Sequence, residues 1–432
     1  MVDQMPGRIV PIQEHPQRRV LAGEVHARPY EVISSPVRAS HLAVVHADAA
    51  AEREHLKRLL APHGAEPPGD GVTWFSRDLG AARLRWERHV EFSTYTFLRF
   101  DAFDQPFAAT ALDLVPMDWL RHVPGQLLNA MHLAVDATQR SPDELAALFD
   151  GNPLVGSTVV GGAGEVWTDF RLHSDGCGRV LMRDVSLSRG QTGRLLQRLL
   201  EVETYRMMAL LAFPLARAAS AEIHRMDREL GAIVGELADP GADRRDRELL
   251  DRLTALAAAA EGLEADTSFR LAAARAYYAI VGQRIEELRE ARIPGVQTVS
   301  EFMDRRLAPA MKTCESTAER QQLLARRVSR AGDLLRTRVD IALEEKNRDL
   351  LKSMNRRAHM QLRLQETVEG LSVVAISYYL LGLLGYAAKG AKAAGLPIDS
   401  DVAGLVGLPV VLAMVWLGVK RLRKALGHGG EA

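Results

Sequence analysis

Residues 370–388 read GLSVVAISYYLLGLLGYAA and residues 402–419 read VAGLVGLPVVLAMVWLGV, two uncharged apolar runs near the end of a chain of 432 residues. At ~1.5 Å of rise per residue, a helix over the first run spans the roughly 30 Å hydrocarbon core of a bilayer. The second run is slightly shorter and holds Pro409, which a bilayer helix tolerates when its neighbours satisfy the freed carbonyl. A two-helix transmembrane anchor is therefore expected over 368–419. A buried soluble hairpin is the competing reading, and both the lengths and the flanks argue against it.

Charges beside the two runs orient them. Arg356, Arg357 and Arg363 precede the first, and Lys420, Arg421, Arg423 and Lys424 follow the second, so both outer flanks are strongly basic and belong in the cytosol. The connecting segment KGAKAAGLPIDSD offsets Lys389 and Lys392 with Asp399 and Asp401, and as the less positive side it faces outward. The expected location is the inner (cytoplasmic) membrane, multi-pass, with both termini and the 420–432 basic tail in the cytosol. The N-terminal stretch, with Asp3, Pro6 and Pro11, lacks the basic-then-apolar pattern of a secretory signal, which also predicts a cytosolic N-terminal part.

Composition bounds the remainder. Apolar residues make up 47% of the chain, enough for a sizeable core. Lys plus Arg and Asp plus Glu are equal at 55 each, so no basic surplus points to nucleic acid. Cys177 and Cys314 stand too far apart for a zinc spacing or a disulfide framework and read as ordinary reduced thiols.

Residues 1–189 read as a cytosolic α+β domain. Strand-like runs lie near 40–47, 72–76, 82–100 (two strands), 127–135, 154–161, 165–173 and 179–187. Residues 49–60 are helix-like, and Ser141 caps a short helix reading SPDELAALF. Turns fall at 161–164 and 174–178. Residues 190–367 change to long helical periodicity, as a stalk or coiled-coil region. A first helix runs to Leu237 with a kink at Pro214, and a second runs from about Arg244 to Arg292. A third, capped by Thr298 or Ser300, has no clear breaker before the first apolar run. If continuous to Ala388 it exceeds ~100 Å at ~1.5 Å per residue and needs partners. Leu324, Val328, Leu335, Val339 and Ala342 form a stripe for burial against the preceding helices or against identical stalks.

Two alternations carry potential chemistry. Glu24, His26 and Arg28 share one face of an extended segment, and Glu87, His89 and Glu91 share one strand face while Trp86, Val90 and Phe92 point to the other. Glu24, His26, Glu87, His89 and Glu91 together could bind a divalent metal such as zinc or manganese, with His41, His46 or His132 completing the shell. The alternative is a half-exposed strand whose His and Arg make structural hydrogen bonds. The run GSTVVGG at 156–162 lacks the Lys and Ser or Thr of a phosphate loop, and neither a HisGluXxxXxxHis run nor a GlyXxxSerXxxGly elbow occurs. No reaction and no resident cofactor is expected. Glu369, at the cytosolic edge of the first span, and Ser372, Ser377 and Gly385 within it are the positions that would line a pore. Ser372, Ser377 and Gly385 equally suit close helix packing, and Tyr378 and Tyr379 need hydroxyl partners from another helix, which points to a homo-oligomer in the lipid bilayer.

VHARP at 25–29, RLAPAMKTC at 306–314, LLRTRVD at 334–340, MNRRA at 354–358 and QLRLQETVEGLS at 361–372 resemble a bacterial family of membrane-anchored proteins, domain of unknown function 3422. The resemblance covers nearly the whole chain and implies the anchor without an activity. A second resemblance is architectural: an N-terminal α/β unit, a helical stalk, two spans and a basic tail are similar to CorA-type magnesium channels. Those channels close the first span with GlyMetAsn, whereas residues 384–386 here are LeuGlyTyr and no Asn lies between Gly370 and Val419. The expectation is a membrane-anchored oligomer with a cytosolic domain that senses a ligand or partner; the alternative is a CorA-like divalent cation channel or transporter.

Overall fold

The computed structural model describes residues 13–24, 29–45, 48–238, 246–395 and 400–426. Contacts divide the chain into two compact units, residues 1–240 with 247–332, and residues 241–246 with 333–432.

The first unit opens with α1 (Arg18–Glu24), β1 (Val37–Val45), α2 (Ala49–Leu60), β2 (Trp74–Asp78), β3 (Arg83–Arg88) and β4 (Phe92–Arg99). It continues with α3 (Met117–Arg121), β5 (Gln126–Asp136), α4 (Pro142–Leu148), β6 (Val155–Val159), β7 (Gly164–Thr168) and β8 (Gly178–Asp184). Then follow α5 (Arg189–Leu210), α6 (Ala212–Leu237), α7 (Asp246–Leu288), β9 (Ala291–Arg292) and α8 (Val299–Arg306), with α9 (Ala308–Ala393) beginning in this unit and ending in the second. The α+β expectation for the N-terminal part holds. Among the described residues the strands form one nine-stranded sheet in the order β2-β3-β4-β1-β5-β8-β7-β6-β9. β5 and β8 are parallel and the other named pairs antiparallel.

β1 sits inside the sheet, and its sequence VRASHLAVV is buried from Val37 to Val44. Its period-two alternation serves two cores. Val37 and Ala39 join Leu133 and Val135 of β5 under Leu195, Leu196 and Leu199 of α5. Leu42 and Val44 join Tyr95 and Phe97 of β4 under Leu56 and Leu60 of α2 and Trp119 of α3. The first core also takes in Leu271 and Ile285 of α7 and Met311 of α9, so packing continues across residue 190, where the stalk is expected to begin.

Local signals set the helix ends. Ser141 and Glu144 make the expected capping box on α4, Ser188 and Gln191 make one on α5, and Thr298 and Glu301 make one on α8. The expected kink at Pro214 falls instead at Leu211, between α5 and α6, because a proline disturbs the turn that precedes it. The third long helix does have a breaker: α8 ends and α9 begins around Leu307, two residues before Pro309, for the same reason. In the stripe on α9, Leu324, Val328 and Leu335 are buried, whereas Val339 and Ala342 are only partly covered.

The second unit holds the rest of α9 and α10 (Ser400–Leu426), with Pro409 inside α10. Among the described residues one helix, Ala308–Ala393, is long and apolar enough to cross a membrane, and only 6% of its apolar window is covered by protein. α10 packs beside it through Gly407, where an added Cβ would stand 4.0 Å from Leu384 Cδ1.

A polar cavity between the sheet and α5

On the α5 side of the sheet, cross-strand register gathers polar side chains into rows. His41 of β1 stands opposite Thr96 of β4, and Thr96 stands opposite Arg85 of β3; one step along, Thr94 stands opposite Glu87. Residues opposite each other in a sheet share a face, so all five side chains point to α5. α5 approaches closely because Gly193 has no side chain: a Cβ there would lie 1.7 Å from the carbonyl oxygen of Glu31. The result is a cavity of about 40 Å³ lined by His41, Arg85, Glu87, His89, Gln197 and Thr204, among others. That is room for one or two water-sized groups.

Its charges are arranged in pairs. Arg85 Nη2 meets Glu87, and Arg85 Nη1 donates to Gln197 Oε1 at 3.4 Å. Gln197 Nε2 donates to Glu201 at 2.7 Å, and Glu201 in turn holds Arg284 of α7. At the cavity edge Glu31 accepts from Ser76 at 2.6 Å and from Arg83 at 3.2 Å. Arg85 is only 6% exposed, yet its Nε donor makes no hydrogen bond among the described residues. His41 is the opposite case, with Nδ1 2.7 Å from Thr96 Oγ1 and Nε2 3.0 Å from Thr204 Oγ1. Burial, reinforced by the positive Arg85 nearby, lowers its pKa to about 3, so the imidazole is neutral. With both ring nitrogens occupied, His41 offers no metal a lone pair.

The sequence-expected residues are partly brought together here. β3 ends at Arg88 and residues 89–91 form the hairpin turn, closed by His89 N donating to Phe92 O at 2.8 Å. Glu87, His89 and Glu91 therefore do not lie along one strand face, and the turn resets the alternation. Val90 is 90% exposed rather than in the core, and Phe92 falls on the same face as Glu87, where its ring stacks on His89 at 4.3 Å. His89 Nε2 lies 3.7 Å from Glu87 Oε2. Glu91 is engaged by Arg270 Nη2 at 2.5 Å and by the Tyr277 hydroxyl at 2.5 Å, both from α7. Burial, followed by the Glu91 contact, raises the Tyr277 pKa, so its hydroxyl keeps its proton. Glu24 closes helix α1 rather than lying in an extended segment, and its side chain, His26 and His46 lie outside the described residues. His132 is on the opposite face of the sheet, paired with Ser40.

Arg85, Gln197 and Thr204 were not singled out from the sequence. Arg85 shares the strand parity of Glu87, so the alternation itself points to it; Gln197 and Thr204 sit on a helix remote in sequence and carry no such signal.

In the second unit, Glu369 accepts from Gln365 at 3.4 Å, and Ser372 Oγ donates to the Val368 carbonyl at 2.8 Å. Ser377 is buried at 3% exposure, and Gly385 has open space where a Cβ would stand. Tyr378 and Tyr379 are exposed and meet edge to face.

Residues 13–426 match the protein family described as Protein of unknown function (DUF3422). No curated protein matches the chain.

Proposed function

We propose, on the premise that the chain belongs to the DUF3422 family, that it is a membrane-anchored oligomer whose α+β unit binds a small oxygen-bearing ligand beneath α5 and carries no reaction of its own. The observation behind the ligand is the Arg85 Nε donor, which is buried, belongs to a residue lining the cavity and meets no acceptor among the described residues. An unmet buried donor costs about 1–3 kcal/mol, which an acceptor on a ligand recovers. The acids around it are already matched by Arg85, Arg83 and Arg284, so the cavity favours a compact acceptor over a cation.

The anchor rests on the apolar part of α9 together with α10, whose basic flanks orient both spans with the termini in the cytosol of the inner membrane. Oligomerisation is supported by the apolar side chains that α9 exposes before the apolar run, including Leu343, Leu350, Leu351, Met354 and Leu364, each at least 57% exposed. A second copy of the same helix would cover them. α9 belongs to both units, which gives ligand binding a covalent route toward the membrane.

The test is thermal melting of the full chain in detergent with formate and acetate as probes. Stabilisation that grows with probe concentration and vanishes in Arg85→Met supports the reading. No stabilisation by either probe, or equal stabilisation of the variant, removes it.

A further inference from the structure

On the other face of the sheet, the parallel pairing of β5 with β8 sets Met131 beside Gly178 and His132 beside Arg179. The tight turn that leads into β8 is thereby placed next to His132. Within it, Gly176 N donates to His173 O, and Cys177 N donates to Asp175 Oδ1, each at 2.9 Å. These bonds, with Cys177 Sγ donating to the Asp175 carbonyl at 3.9 Å, tie Asp175 and Cys177 together within the turn. Nε2 or Nδ1 of His132, a carboxylate oxygen of Asp175 and Cys177 Sγ all lie within 4.8 Å of one another.

From this geometry we infer that His132, Asp175 and Cys177 form a binding site for a thiophilic divalent transition metal of the zinc or cobalt type. Three observations support it. His132 Nε2 and Asp175 Oδ2 are 3.7 Å apart, too long for a hydrogen bond but close to the separation of two ligands about 2.0–2.2 Å from a shared tetrahedral ion. His132 Nδ1 is held 2.8 Å from the fully buried Ser40 Oγ, an outer partner of the sort that fixes a ligating imidazole and leaves Nε2 for the metal. His132 and Cys177 are 5% and 6% exposed while Asp175 is exposed, so an ion can arrive from solvent and rest against a buried nitrogen and sulfur. A nitrogen, oxygen and sulfur set selects zinc or cobalt over magnesium or calcium. With three protein ligands, the fourth tetrahedral position is left for water or a small ligand. Binding replaces the thiol proton of Cys177 with the metal and releases that proton to solvent.

This site is independent of the cavity under α5, which lies on the opposite sheet face. The experiment titrates cobalt(II) into the full chain in detergent under reducing conditions and follows the thiolate-to-cobalt charge-transfer absorption together with competition by zinc. The expected result is a saturable band at one cobalt per chain that zinc abolishes, that is lost in Cys177→Ser, and that persists in Cys314→Ser. Asp175→Asn, which keeps an Oδ1 acceptor for the Cys177 N–H, should weaken cobalt affinity at least tenfold while leaving the melting temperature of the metal-free protein unchanged. No charge-transfer band in the wild type, or a band that survives Cys177→Ser, overturns the assignment.

Discussion

The carboxylate of Glu52, fully buried on α2, is paired with the guanidinium of Arg88 at the end of β3, and the Tyr95 hydroxyl donates to its second oxygen at 3.4 Å. This pair links the helix covering one face of the sheet to the strand that carries the cavity residues on the other. Arg88→Met leaves a buried carboxylate without its cation and should cost about 3 kcal/mol of folding stability. Glu52→Gln keeps the shape and a hydrogen-bond acceptor, so its cost should be nearer 1–2 kcal/mol. Equilibrium denaturation of both variants checks the order; equal, small effects would show that the pair contributes little.

Gly193→Ala should destabilise by about 3 kcal/mol, because its Cβ would meet a backbone oxygen that cannot move without shifting the 31–33 segment. On an unhindered helix the same substitution stabilises by up to about 1 kcal/mol. The sign of the change in melting temperature therefore tests the close approach of α5. A rise would place α5 farther from Glu31.

His41 predicts a pH dependence with a defined direction. Its folded pKa of about 3 lies below the usual value of 6.5, so below 6.5 the unfolded chain takes up a proton that the folded protein does not. Its contribution is fully present above pH 6.5, falls as the pH drops below that value, and is fully lost by about pH 3. In the middle of this window the slope approaches about 1.4 kcal/mol per pH unit. Denaturation midpoints for wild type and His41→Gln between pH 7 and pH 4 provide the comparison. The variant should lose stability more gently on acidification, and parallel curves would contradict a neutral buried imidazole.

Full-length protein should remain with membranes after alkaline washing and enter solution only with detergent, as expected of a spanning helix. In detergent its mass should exceed that of one chain plus its micelle. Reconstituted in liposomes it should pass no divalent cation. Flux that Glu369→Ala abolishes would replace the sensing reading with the CorA-like channel, and protein that stays soluble without detergent would remove the anchor.

The sequence by itself determined what depends on neighbours along the chain. An uncharged run of apolar residues is as apolar in any fold, and capping boxes such as Ser141 with Glu144 close within one helical turn. The strand segments were legible because side chains alternate with a period of two. That period says which residues share a face but not which strand lies alongside, nor where a hairpin turns. The break at His89, the pairing of β5 with β8 and the close approach of Gly193 were therefore decided only in three dimensions. Cys177 illustrates the difference. In sequence it is an isolated thiol in a turn, and non-local backbone hydrogen bonding between strands brings it beside His132.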